Sequence, residues 1–466
     1  MIKLRQRHIF FIGFMLLFLL GIIRNVSVSE YVYDAVDYYM ASQSFTNSGQ
    51  FSILNYANTY RGIYFPLILA IYSLIGSALG IDAGVAILFG NALFTSFIIV
   101  IVIPKIMAFK TRNRSLIWGI VPLIVYAFFW SDLFVYPLTD MYALGFCAIS
   151  AYIILQIKDN LFQIPFVFLL GGILYVTYNI RTIYLFSSIG LILILFYKVI
   201  FKEHFCRLKV LLVSVILAFG IVSAGTLQAM VNSNLHSRYT MRVITDDLNG
   251  GELFTSQLYM GFLYDRYETY VGDPNVYPNV QMNFIDRAGV QIISNDHLGE
   301  GFSGLGEYIV TVLRHPVDYI GIIMRHIASA LYVPWNRVYL TDLKNGKTLL
   351  ALLNYSIVFY FGLKMSLYCK NLKGNEVLKS IRVLCMIAII LPCIAILPGA
   401  IELRFFMPMY LCAYLFIFLK NNQICIRYLK TNWKSILICY ILVYCLLSGY
   451  WGGIMSSAQS LPQLLN

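Results

Sequence analysis

Apolar residues run without a charge over 9–23. Blocks of similar length return at 84–104, 115–131, 141–157, 163–179, 183–200, 210–228, 348–368, 380–400, 405–420 and 435–452. A helix crosses a hydrocarbon layer in about 20 apolar residues, so each block is expected to span a membrane. Two further apolar stretches, 63–79 and 318–333, are compatible either with crossing or with lying in the interface. The polar positions decide between these. Lys and Arg collect in the connections KLRQR, KIMAFKTRNR, KDN, KVIFKEHFCRLK, KMSLYCKNLKGNEVLKSIR and KNNQICIRYLKTNWK. With both ambiguous helices at the interface, all of these fall on one side. If either crossed alone, the basic loops beyond it would change side. The positive-inside rule therefore favours eleven spans, with the N-terminus cytoplasmic and the C-terminus outside.

That arrangement puts 21 Lys and Arg with three acids (Asp159, Glu203, Glu376) inside, and 13 basic with 19 acidic residues outside. The net charge of +12 is then cytoplasmic loop charge, and nucleic acid is not an expected partner. A chain 59% hydrophobic and 12% charged, with a mean hydropathy of +0.74, is not an ordinary soluble domain. MIKLRQRH before an apolar run imitates a signal peptide, but further spans follow and no A-x-A-like site is present. All nine cysteines lie in apolar runs or basic loops, without CxxC spacing, so no disulfide framework or zinc-type site is expected. The expected class is an all-α polytopic protein of the cell membrane, plasma or inner, with the bilayer as its first partner.

Three regions follow: a transmembrane module at 1–228 with a first outer loop at 24–83, an extracytoplasmic region at 229–347, and a second transmembrane module at 348–466. The middle region joins polar pieces (DDLNGGE, YVGDPNVYPN, NDHLGEGFSGLGE) to one amphipathic piece, HPVDYIGIIMRHIASALYVPW. The latter is expected as an interfacial helix with Tyr332 and Trp335 at headgroup depth. Seven spans before this region, four after it and no internal repeat argue against a transporter built from repeated halves.

The outer side collects the ionisable residues that stand next to spans. Asp34 and Asp37, at i and i+3 in YVYDAVDYYMASQSF, share one helix face among tyrosines, or else belong to a solvated loop face. Asp140 in SDLFVYPLTDMYALGF is a candidate site acid or simply an acid favoured by a helix N-terminus. Arg181 in YNIRTIYLF points to a site or to snorkelling. Arg404 in PGAIELRFFMPMY points to a site or to a local ion pair with Glu402. Arg61 completes the set. Carboxylates facing guanidinium groups suit a reaction that takes a proton from one partner while a phosphate leaves the other.

Four stretches together resemble a known family. The acid-bearing first outer loop followed by RGIYFPLILAIYSLIG, then YNIRTIYLFSSIGLILIL, HPVDYIGIIMRHI and ELRFFMPMYLCAYLFIF, resemble in order the GT-C glycosyltransferases. The closest likeness is to the branch of protein O-mannosyltransferases and bacterial aminoarabinose and lipopolysaccharide sugar transferases. One departure stands out: the branch often carries two adjacent acids in the first loop, whereas Ala35 follows Asp34 here. The second acid is then either Asp37 or missing.

The resemblance implies a GT-C-like bundle of about eleven spans with outer-face interfacial helices and one large outer loop. It implies transfer of a sugar from a polyprenyl-phosphate donor to a hydroxyl of an envelope glycan, glycolipid or other acceptor on the outer face. In the inverting mechanism it suggests, Asp34 is the general base and Asp140 orients the acceptor or assists the base. Arg404, supported by Arg181 or Arg61, holds the donor phosphate. An alternative lets Asp34, Asp37 and Asp140 share a divalent cation, Mg²⁺ or Mn²⁺. A lipid-borne donor arrives laterally, consistent with the absence of a G-x-G-x-x-G or P-loop motif. The rival readings are a polysaccharide polymerase or ligase and, further off, a lipid-linked sugar flippase. The flippase predicts charges in mid-span, where the proposed span centres have almost none.

Overall fold

The computed structural model describes the chain apart from residues 1–2, 5, 25–26, 48, 60, 108–113, 159–162, 239–249, 272–279, 300, 341–347, 372–379, 420–422, 457 and 461–466. Parts of the basic connections (Lys110, Asp159, Lys373, Glu376 and Lys420 among them) and of the polar pieces DDLNGGE and YVGDPNVYPN lie outside the described residues. The protein is predominantly helical and divides into two compact units. The first comprises Met1–Asp247 and Leu372–Pro392, the second Leu248–Asn371 and Cys393–Asn466.

Among the described residues, seven helices are long and apolar enough to cross a membrane: Gln6–Arg24, Ala83–Ile106, Thr139–Gln156, Thr182–Lys202, Arg207–Arg238, Thr348–Leu367 and Arg427–Gly452. The other expected spans, 115–131, 163–179, 380–400 and 405–420, correspond to shorter apolar helices of 10–17 residues. The ambiguous stretch 63–79 forms another short apolar helix, Tyr64–Ala78.

In the first unit the helix Thr139–Gln156 is the central element, with most of its side chains buried. Local chemistry sets the ends of its neighbours. Gly80, at φ +68°, turns the chain after Tyr64–Ala78, and Asp82 caps the next helix by accepting from the Gly84 and Val85 amides at 2.8 and 3.3 Å. Helices Ile164–Ile180 and Arg207–Arg238 cross backbone to backbone. A Cβ on Gly171 would stand 2.3 Å from the Leu217 carbonyl, and one on Gly220 2.2 Å from that of Phe168. Only glycine permits this approach.

Basic side chains close helix C-termini, where carbonyls lack intrahelical donors. In the first unit Lys198 Nζ donates to the carbonyls of Ile154, Leu155 and Ile157 at the end of Thr139–Gln156. Arg382 does the same for Lys105 and Ile106 at 2.7 and 3.0 Å. In the second unit Lys364 donates to Phe416 and Ile417 at 3.0 and 2.9 Å.

The second unit adds what no apolar pattern announced: a four-stranded sheet. Tyr264–Tyr270 pairs antiparallel with Val280–Ile285, parallel with Tyr339–Leu340 on its other edge, and Val280–Ile285 pairs antiparallel with Ala458–Ser460. Asp286 ends the second strand and caps Arg287–Asn295 by accepting from the Gly289 amide at 3.0 Å.

The amphipathic piece forms Pro316–Ala330, preceded by Leu305–Arg314. Both leave an apolar face exposed, at Ile309, Leu313, Val317, Ile320 and Met324, as an interfacial pair of helices would. Tyr332 and Trp335 pack inside the unit. Tyr332 stacks on Trp451 with ring centroids 4.6 Å apart, and Trp335 is buried with Phe284, Leu340 and Tyr355. Their rings fill the space beside the sheet, which the linear sequence did not show.

Candidate functional site

Five of the expected site residues lie in the first unit, at one end of its helices. Asp34 and Asp37 stand in the first turn of Asp34–Gln43. Tyr33, just before it, holds φ +49° and ψ −129°, a strained conformation for a non-glycine residue that turns the chain sharply into the helix. Arg61 Nη2 donates to Asp34 Oδ1 and lies 3.8 Å from Asp37 Oδ2, so one guanidinium serves both carboxylates. Its carbon centre lies 4.9 Å from the Tyr38 ring centroid, a cation–π contact.

Arg61 is held by its neighbours. Its amide donates to Asn58 Oδ1 at 2.9 Å, and its carbonyl accepts from the Tyr56 hydroxyl at 2.7 Å. The next residues are tied to two long helices. The Ile63 amide donates to Gln228 Oε1 at 2.9 Å, Asn179 Nδ2 donates to the same oxygen at 2.8 Å, and Gln228 donates onward to Asn232 at 2.6 Å. Gly62 allows the loop to lie this close, because a Cβ there would sit 2.3 Å from Asn179 Oδ1. Burying an amide group is unfavourable unless it is paired, so this chain of side-chain amides fixes the loop in one place.

Asp140 and Arg181 form the second pair. Asp140 is in the first turn of Thr139–Gln156, Arg181 follows the last turn of Ile164–Ile180, and Arg181 Nη1 donates to Asp140 Oδ1. Tyr38 connects the pairs: it is buried, hydrogen-bonded with Thr139, and feels both Arg61 and Arg181. Burial raises its phenol above the ordinary range, against the pull of Arg61. Partial burial likewise raises the Asp37 carboxyl, opposed by Arg61 and aided by Asp34. A further pair, Arg24 with Asp132 at 2.8 Å and Ser131 at 2.6 Å, joins the end of Gln6–Arg24 to the same end of the unit.

Exposure separates these pairs. Side chains of Asp34, Asp37 and Arg61 are 25%, 56% and 33% exposed, whereas Asp140 is 3% exposed. A ligand can reach the first set directly and the second through Arg181. The carboxylates do not fit the divalent-cation alternative. Asp34 and Asp140 are each engaged by a different guanidinium, and among the described residues no group of three or more His, Cys, Asp or Glu side chains could hold a metal.

Arg404 belongs to the second unit, where it lies 2.8 Å from Glu402 in the arrangement of the local ion pair. Glu402 is 1% exposed, so this pair is interior. Beside it, Glu268 accepts from Arg266 Nε and, at 3.3 Å, from the Leu403 amide, while Arg266 also donates to the Tyr332 carbonyl at 2.7 Å. Sequence reasoning assigned no role to Tyr38, Asn179, Gln228, Arg266 or Glu268. Two of them had a signal in their position, one residue after Asp37 and two before Arg181. No protein-family model, curated protein or solved structure matches this chain.

Proposed function

We propose that the protein is a membrane glycosyltransferase of the GT-C type. It moves a sugar from a polyprenyl-phosphate donor to a hydroxyl of an envelope glycan or glycolipid. The observation that carries this reading is the solvent-reachable Asp34–Arg61–Asp37 cluster, joined through Tyr38 to the buried Asp140–Arg181 pair. In the eleven-span arrangement with a cytoplasmic N-terminus, this end of the first unit faces outward. The helices shorter than 18 residues cross in that arrangement by local thinning and snorkelling of their flanks.

The chemistry follows from exchange of ion-pair partners. A phosphate offers Arg61 a bidentate partner that competes with Asp34. Asp34, released but still ionised, then accepts the proton of the acceptor hydroxyl as its oxygen attacks the anomeric carbon. The bond from that carbon to the phosphate oxygen breaks, the electron pair leaves with the lipid phosphate, and configuration inverts. Arg61 and Arg181 stabilise the charge that grows on the leaving group. Asp140 acts through Arg181, which it orients. Arg404 enters this reading through the family resemblance alone.

The test is direct. Purified protein is given a labelled sugar on polyprenyl phosphate and an envelope acceptor fraction, and label in the acceptor is counted. Transfer that requires both components supports the reading. Failure across the common lipid-phosphate sugars, with folded protein, overturns it.

A further inference from the structure

The helix Tyr64–Ala78 is capped from a distance. The first amides of a helix lack intrahelical acceptors and are commonly met by a Ser, Thr, Asp or Asn side chain just before them. That position here is Ile63, whose side chain cannot accept. The Ile63 amide donates instead to Gln228 Oε1 at 2.9 Å, on Arg207–Arg238. The Tyr64 amide donates to Asn179 Oδ1 at 3.4 Å, in the last turn of Ile164–Ile180. Asn179 Nδ2 donates to the same Gln228 oxygen at 2.8 Å, and Gln228 Nε2 donates to Asn232 at 2.6 Å. The Tyr64 hydroxyl adds a bond to the Ala224 carbonyl at 2.7 Å, one turn before Gln228.

This hub lies between the two arginines of the candidate site. Arg61 is two residues before Ile63, and Arg181 is two residues after Asn179. A cap supplied by residue 63 itself would satisfy a helix end and nothing more. A cap supplied by Asn179 and Gln228 makes the place of Arg61 depend on the helix that ends at Arg181. The geometry is also narrow. Gln228 and Asn232 are each 3% exposed, and buried amides are costly unless every bond is made. Gly62 fits against the hub because a Cβ there would stand 2.3 Å from Asn179 Oδ1 and 2.6 Å from the Asn179 carbonyl.

We infer that Gln228 and Asn179 are positioning residues that set the spacing of the Arg61 and Arg181 guanidinium groups, so that both meet the phosphate of one lipid-borne donor. The spacing follows from the contacts alone, while its use on a phosphate rests on the glycosyltransferase reading.

The experiment uses the full chain in lipid nanodiscs. Hydrogen exchange at single amides reads the spacing, and polyprenyl phosphate affinity with donor and acceptor KM reads its use. Gln228→Met keeps the length of the side chain and removes its polar atoms. Exchange should quicken about tenfold at Ile63 and Tyr64, and also at Arg181, whose amide donates to the Thr177 carbonyl at 3.2 Å. Polyprenyl phosphate should bind about tenfold more weakly, or about 1.4 kcal/mol, with the donor KM raised alike and the acceptor KM unchanged. Gln228→Glu retains the acceptor for Ile63 and, when protonated, the donor to Asn232. Its donor KM should therefore return toward the parent's as pH falls, a recovery that a damaged fold would not show. Gly62→Ala displaces the loop without removing a polar group. It should reproduce the raised donor KM, and it guards against a Gln228 variant that fails to fold. Faster exchange at Ile63 and Tyr64 with none at Arg181 would overturn the shared spacing. So would an unchanged donor KM and polyprenyl phosphate affinity in folded Gln228→Met and Gly62→Ala. A parent that neither binds polyprenyl phosphate nor transfers sugar would overturn the glycosyltransferase reading instead, and exchange at Arg181 would still decide the spacing.

Discussion

Each unit sets arginine against carboxylate, but in different surroundings. In the first unit Arg61 spans Asp34 and Asp37 where solvent reaches all three. In the second, Arg266–Glu268 and Arg404–Glu402 are interior, with both glutamates under 5% exposed. An exposed pair contributes only about 0–1 kcal/mol, so a ligand can replace one partner with little loss of stability. A buried pair is different: removing one partner strands a charge and costs about 3–5 kcal/mol. The first kind of pair suits exchange with a substrate, while the second holds a sheet against a helix start.

The contrast is sharpest in Asp34→Asn. Turnover should fall about 10²–10⁴-fold, the range for a positioned general base. Thermal stability should move by less than about 1 kcal/mol, as for an exposed pair. Retention of more than a tenth of the activity would remove Asp34 from the base role. Glu268→Gln should do the reverse and lower stability by about 3–5 kcal/mol while folded molecules keep their turnover. Denaturation with parallel activity assays measures both.

The sequence showed where the helices are and which of their ends bear charge. It also showed that Asp34 and Asp37 share a face, because those features are written in local periodicity. It did not show that Arg61 is their partner, since that pairing depends on Asn179, Gln228 and Asn232, polar residues of two long helices whose contacts no local pattern reports. The sheet was hidden for a related reason. Tyr339–Leu340 and Ala458–Ser460 are too short to register alone and are joined to their partners only across long stretches of chain. The Lys198 and Lys364 caps looked like loop charge, because nothing local reports which carbonyls a long side chain will meet.

The second unit also contains an acid whose titration tests its burial. Asp265 is pushed up to about 7, first by burial and then by the neighbouring Asp286, with Tyr450 and Arg325 opposing. A carboxyl raised in this way is favoured protonated in the folded state. Its contribution is complete below its ordinary value of 3.8 and is lost as pH rises through about 7. Buried His326 is lowered and runs in the opposite direction, so the comparison must be with a variant. The stability of Asp265→Asn relative to the parent should climb between pH 4 and pH 7 and level off above. A flat difference in urea titrations would mean that Asp265 ionises freely.

Arg404→Lys should lower stability by about 1–3 kcal/mol, since Lys cannot reproduce a guanidinium against Glu402. Changing Glu402→Gln as well should recover part of the loss, and the donor KM should not change. A raised donor KM in well-folded protein would instead place Arg404 at the lipid phosphate. The smallest expected effect belongs to Tyr38→Phe. The ring beneath Arg61 remains and only the hydroxyl contact with Thr139 is lost, so kcat should drop severalfold, about 0.5–1.5 kcal/mol. An unchanged kcat would separate the two ion pairs functionally.

The helix Arg207–Arg238 acts as a ruler. Its 32 residues extend about 48 Å, well past a hydrocarbon layer of about 30 Å. Gln228 lies about 32 Å from the Arg207 end, a distance comparable to the thickness of that layer, and Asn234 beyond it reaches the Leu54 carbonyl at 2.6 Å. The loop bearing Arg61 is thus suspended from a rigid post at a fixed height. In the proposed arrangement, with the Arg207 end at the cytoplasmic boundary, the thickness of the bilayer would set how far the aspartates stand above the acyl chains. In the proposed reading, that is the depth at which a phosphate carried on a lipid tail would come to rest.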